Sequence, residues 1–186
     1  MKKKLTVIAI IAICLATLAS GTLAYFSTEG TARNVITSGY VDMELVEKHI
    51  DGNGAEVEFP AEGIEDVMPG TSVSKIVSVK NTGADAWIRI KVETKVIGAD
   101  GKELPADVVS FTVDETKWLL KDGYYHYMLP VAAEESTDVL FDAVDFAASM
   151  GNEYQGCEAE VIVSAQAVQV ANNGATVEEA AGWPES

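Results

Sequence analysis

The stretch "AWIRIKVETKVI", Ala86–Ile97, decides the fold. Trp87, Arg89, Lys91, Glu93 and Lys95 fall on one side of an alternating pattern, and Ile88, Ile90 and Val92 fall on the other. A repeat of two is the signature of a β-strand with one face in a core and the other towards water. An amphipathic helix would need its apolar residues three and four apart, and this segment does not supply them.

Working outward, the same alternation recurs. "YVDMELVEKHI" sets Val41, Met43 and Leu45 against Asp42 and Glu44, and "TSVSKIVSVKN" spaces Val73, Ile76/Val77 and Val79 among Ser and Lys. "DVVSFTVD", "KWLLKD", "GYYHYML", "STDVLFDAVDF" and "EAEVIVSAQAVQV" read as further strands. The connections "DGNG", "MPGTS", "NTGAD", "ADGKE" and "KDGYY" each place glycine where a turn needs a positive φ. "KDGYY" between "WLL" and "YHYML" predicts a hairpin. About eight strands at this spacing predict an all-β fold, an antiparallel β-sandwich rather than alternating strands and helices. Short helical pieces are expected only near 143–151 and 177–181. Residues 39–171 form the expected sandwich domain, and 172–186 a polar, flexible tail apart from Trp183.

The N-terminus has a different character. Lys2, Lys3 and Lys4 precede an uncharged run, Leu5–Ala19, with small residues after it. This is the three-part plan of a secretory signal, with Thr22 and Ala24 at the −3 and −1 positions. At about 1.5 Å per residue the run reaches ~23 Å, short of a ~30 Å hydrocarbon core, so cleavage is favoured over anchoring. The expected peptide is 1–24, preceded in function by the Sec translocase. The cut falls after Ala24, Tyr25 or Ser27, and the chain keeps no membrane attachment after it. Cys14 lies inside the run, but Ile13 before it does not suit lipidation.

Loss of residues 1–24 removes three of the 13 basic residues and none of the 29 acidic ones, which takes the formal charge from −16 to −19. Such a chain repels nucleic acid, anionic lipid and its own copies. Cys157 is the single cysteine left, so no intramolecular disulfide forms, which suits a monoderm bacterial surface. Cys157 itself is expected to be a small buried strand residue.

Catalytic groups are scarce. The two histidines, His49 and His126, lie far apart, no H-E-x-x-H or G-x-S-x-G occurs, and no Gly-rich phosphate loop is present. A zinc site would have to be assembled from His49, His126, Cys157 and scattered carboxylates, so surface or edge histidines are the plainer expectation. "DGNGAEVEFPAEGIED" has Asp51, Asn53 and Glu62 at the first, third and twelfth positions of a calcium loop, but Glu56 replaces the required glycine and a hairpin loop is expected instead. No cofactor is expected beyond weak, non-specific divalent cations on the acidic surface. Trp118, Tyr124, Tyr125 and Tyr127 could form a sugar platform, but alternation divides them between two faces.

The junction "GTLAYFSTEGTARNVITSGYVDMEL", with Gly39, Val41, Asp42, Met43 and Leu45 at its end, resembles that of the TasA/camelysin group of Gram-positive exported proteins. "MPGTSVSKIVSVKNTGADAWIRIKV" is similar to the group's central motif through Pro69, Gly70, Val79, Asn81, Gly83 and Arg89. "WLLKDGYYHYMLPVAAEESTDVLFDAV" looks like a segment of clostridial-type members. The resemblance implies a jelly-roll-like sandwich, processing by a SipW-type signal peptidase, and secretion to a cell surface or extracellular matrix. It also implies self-association into biofilm fibres by donor-strand addition. The implied donor is the mature N-terminal segment, residues 25–38, with Tyr25, Phe26, Val35 and Ile36 as anchors. A non-polymerising surface or accessory protein of the same fold is the alternative. A camelysin-like metallopeptidase is the other, although no metal-binding motif in the sequence supports an enzyme.

Overall fold

A computed structural model describes residues 41–61, 63, 64 and 67–184. The signal residues Thr22, Ala24 and Tyr25, the anchors Phe26, Val35 and Ile36, and the expected signal helix lie outside the described residues.

The domain is all-β, and its described residues form ten strands in two antiparallel sheets with the core between them. β1 (Met43–Ile50), β2 (Glu56–Glu58), β3 (Ser72–Asn81), β9 (Phe141–Phe146) and β6 (Val109–Ser110) build sheet A in the order β2-β1-β3-β9-β6. Sheet B runs β10 (Glu158–Gln169), β4 (Ala86–Ile97), β8 (Tyr124–Tyr127), β7 (Trp118–Lys121), with β5 (Glu103–Leu104) also on β4. β10 and β4 pair along their whole lengths, from Glu158↔Ile97 to Gln169↔Ala86, and form the spine of sheet B.

The alternation of β4 carries through into packing. Ile88, Ile90 and Val96 are fully buried, and they meet Val77 and Val79 of β3, Phe141 and Val144 of β9, and Ala165 and Ala167 of β10. Burying each branched side chain stabilises the fold by about 1.5–3 kcal/mol. Trp118 and Tyr127 close the core at the hairpin, with ring centroids 5.0 Å apart, and the Trp118 Nε1–H donates to the Val139 carbonyl at 3.2 Å. That hairpin turns on Asp122 (φ 52°) and Gly123 (φ 79°), the pair of positive φ values that an Asp-Gly turn supplies.

Asn81 explains the "VKNTGADAW" motif. It is fully buried, and its amide nitrogen donates to the carbonyls of Ala84 and Val131, each at 2.8 Å. Its side-chain oxygen accepts from the Gly83 N–H at 3.0 Å, so one side chain ties the β3–β4 turn to the segment after β8. Gly70 has φ 75°, and a Cβ there would sit 3.3 Å from the Ala148 Cβ; its N–H donates to the Phe146 carbonyl at 2.9 Å and sets the entry to β3.

Some expectations need correction. Residues 143–151 and 177–181 are not helical; among the described residues helix is confined to 3-10 turns at Ala106–Val108 and Asn152–Tyr154. β9 takes up the start of the first segment because Phe146 N–H donates to Thr71 and ties it to β3. "DVVSFTVD" contributes only Val109–Ser110 as strand. Cys157 precedes β10 in a turn and is half-buried, rather than a buried strand residue.

Candidate functional site

Two places stand out, a groove between the sheets and a covered patch on the outside of sheet B. The groove encloses about 910 Å³. Val73 of β3 and Val144 and Phe146 of β9 form one wall, Ala159 and Val161 of β10 the other, and Ile64 and Val67 flank its mouth. Among the described residues β10 stands at the end of the sheet B order. The register of β3 against β9 shifts between Ser74 and Val77, and Lys75 of this irregular stretch lines the groove. The Lys75 ammonium lies 2.6 Å from Glu47 Oε1 and 3.9 Å from the Phe59 ring centroid. The lining is mixed, with Asn152, Gln155 and Glu158 beside the apolar side chains, and its one cation, Lys75, is already neutralised. Cys157 sits on the rim.

The patch on sheet B uses the polar side of the opening stretch. Arg89 donates through Nε and Nη2 to Gln166 Oε1, at 2.8 and 2.6 Å. Its guanidinium carbon lies 3.9 Å from the Tyr124 ring centroid and 4.5 Å from that of Trp183. His126, Arg89's register partner on β8, is 5 % exposed and meets Trp183 edge to face at 5.6 Å. Trp87 packs beside them under Val177. The segment from Ala171 to Pro184, expected as a polar tail, lies over this patch with Val177 buried and Trp183 half-buried. Its contacts require the long-range pairing of β4 with β8 and β10, so no local signal in the sequence marks them.

The structure separates the sequence-predicted metal ligands. His49 lies on sheet A, edge to face with Phe59 at 5.9 Å, His126 on sheet B, and Cys157 at the groove rim. Among the described residues no three His, Cys, Asp or Glu side chains are grouped to hold a metal ion. The calcium-loop stretch forms the β1–β2 hairpin, in which Asp51 Oδ1 accepts from the N–H groups of Asn53 and Ala55 at 2.8 and 2.9 Å. Those bonds hold the Asp51 carboxyl below its ordinary value. Glu62, at the twelfth position, lies outside the described residues. The aromatic cluster is divided as its alternation predicts. Trp118, Tyr125 and Tyr127 pack on the core, and Tyr124 lies outside beneath Arg89.

Residues 1–109 match the camelysin metallo-endopeptidase family. The chain belongs to that family. The matched span runs from the N-terminus through β5 to the start of β6, and leaves the hairpin, β9, β10 and the sheet B cover outside it. No curated relative and no solved structure matches the chain. The family name implies a catalytic metal, and the described residues group no ligand set that fits one. Within the matched span the single histidine is His49, and among the described residues it belongs to no group of three or more metal-ligating side chains. Two or more further ligands would have to converge on it to complete a catalytic zinc centre. No helix among the described residues is long and apolar enough to cross a membrane.

Proposed function

We propose that the chain is an exported structural protein of the cell surface or extracellular matrix, whose copies join by donor-strand addition. In this reading residues 25–38 of one copy enter the groove of the next. The observation that carries it is the groove itself: an open, partly apolar cleft between two sheets, walled on one side by β10. An extended segment seated there places alternate side chains between the walls. Tyr25, Phe26, Val35 and Ile36 supply apolar side chains of suitable size. Such a contact joins two unlike surfaces and so continues into an open filament. Membership of the camelysin family and the signal-like N-terminus support export.

The test compares protein beginning at Tyr25 with protein lacking Tyr25–Thr37, and with Val161→Lys in the longer form. Each is incubated at low pH or with divalent salt, because copies near −19 repel until screened, and each is imaged by electron microscopy. Fibres are expected from the first alone. Equal assembly by the truncated form sinks the donor-strand reading. No assembly by any form supports the non-polymerising surface protein.

A further inference from the structure

We propose that residues 171–184 are a strap that acid lifts from sheet B, with His126 as its proton-sensitive catch. The proposal goes beyond the assembly reading and rests on a different surface.

The strap is organised within itself. The Asn173 amide nitrogen donates to the Gln169 and Ala181 carbonyls at 3.1 and 3.0 Å, and its oxygen accepts from the N–H groups of Gly174 and Ala181, both at 2.9 Å. Trp183 Nε1–H donates to the Ala180 carbonyl at 3.0 Å. Its hold on the sheet is mostly side-chain packing, with Val177 and Ala180 against Trp87 and Val168, and Trp183 against Arg89 and His126. Lys121 adds a long contact to the Glu178 carbonyl at 3.5 Å. A segment knotted to itself and attached by a few side chains opens as a unit, at a cost below that of global unfolding.

What lies beneath it is poorly satisfied. Among the described residues four buried side-chain polar atoms have no partner in good hydrogen-bond geometry, and three of them, Trp87 Nε1, His126 Nδ1 and His126 Nε2, belong to this patch, where the Lys121 carbonyl gives the imidazole only a loose backbone contact. Burying such atoms unpaired costs free energy that opening returns.

The charges around His126 give the proton its leverage. Arg89 of β4 faces it, Lys121 and Asp122 come from the β7–β8 turn, and Tyr124 precedes it on its own strand. Trp183 covers it from the strap. Burial first, and then the Arg89 guanidinium, hold its imidazole below the ordinary value near 6.5, with the Lys121 carbonyl and Asp122 opposing. The closed strap therefore binds a proton less readily than the open one. Closure is fully favoured above about pH 6.5 and weakens as the pH falls below it. Protonation in place would set a second cation beside Arg89, and among the described residues no carboxylate is in hydrogen-bond contact with either group.

The test is amide hydrogen exchange over 171–184 on the purified exported protein, at concentrations where it is monomeric, corrected for the intrinsic pH dependence of exchange. Wild type should lose protection there at least ten-fold between pH 7.5 and 5.0, while β3, β4 and β10 stay protected. His126→Phe, which fills the same space and never charges, should change less than two-fold, with His126→Gln as a second neutral variant. Trp183→Ala should expose the strap at both pH values. Retained protection in wild type at pH 5.0, or an equal loss in both neutral variants, overturns the proposal. Assembly is not read in this experiment, so its failure and that of the fibre reading are separate.

Discussion

Lys75 on sheet A and Arg89 on sheet B both carry a positive charge into partly or fully buried surroundings, and both lie against aromatic rings. Lys75 is 6 % exposed, with Phe59 on its ammonium and the Glu47 carboxylate 2.6 Å away. Arg89 is stacked between Tyr124 and Trp183, and its hydrogen bonds go to the neutral amide of Gln166. The first charge is neutralised by an anion in contact, so its field ends at the pair. The second is satisfied in hydrogen bonds but not in charge, so its field reaches His126. That difference makes one site a local brace and the other a place where a proton alters the balance.

The largest expected effect separates the two directly. Arg89→Met keeps a long apolar stem but leaves Gln166 Oε1, which is buried, without its donor, and removes the cation from two rings. A loss of about 2 kcal/mol in urea unfolding is expected from these two deletions. The same variant should raise the midpoint of any His126-linked transition towards pH 6.5, because the repelling neighbour is gone. Unchanged stability together with an unchanged midpoint would show that Arg89 is a bystander.

How legible this was differs between the two faces of β4. The inner face was readable because Ile88, Ile90 and Val92 obey a local period, and water sorts such a pattern without regard to distant residues. The Asp-Gly hairpin was readable for the same reason, since Asp122 and Gly123 set their own φ. The outer face was not. Trp87 and Arg89 fall among the polar positions, yet a segment about 90 residues later covers them, a contact fixed only once β10 has carried the chain beside β4. The groove was equally hidden, since its walls come from β3, β9 and β10. The histidines were separable in sequence only as a distance along the chain; that one is an edge contact on sheet A and the other a buried group beside Arg89 needed the topology.

A smaller effect sharpens the contrast by placing strap and domain on different parts of the pH axis. Tyr127 donates to Asp138 Oδ2 at 2.6 Å, and this bond, followed by nearby Lys117, holds the Asp138 carboxyl below its ordinary 3.8. Asp51 and Asp114 are lowered as well, by bonds from their own turns. A depressed carboxylate contributes stability above its unfolded value and loses it as the pH falls further. Thermal midpoints should therefore hold steady down to about pH 4 and drop below it, well after the strap has opened. Asp138→Asn should cost about 1 kcal/mol at pH 7, reduced by the exposure of the carboxylate, and should flatten the acid limb. A domain midpoint falling together with strap protection near pH 6 would merge the two events.

The smallest expected effect returns to Lys75. Breaking a fully buried ion pair costs several kcal/mol, because the charge left behind has no water. Glu47, however, keeps about a third of its side chain exposed, 34 %, so it rehydrates when the ammonium is removed. Methionine at position 75 also keeps the stem that packs on Phe59. Lys75→Met should therefore cost less than about 1 kcal/mol in urea unfolding, and the double variant with Glu47→Gln should match it closely. A penalty equal to that of Arg89→Met would mean that the contact carboxylate is not what distinguishes the two cations. Their unlike roles would then have to come from burial alone, and the field that reaches His126 would lose its explanation.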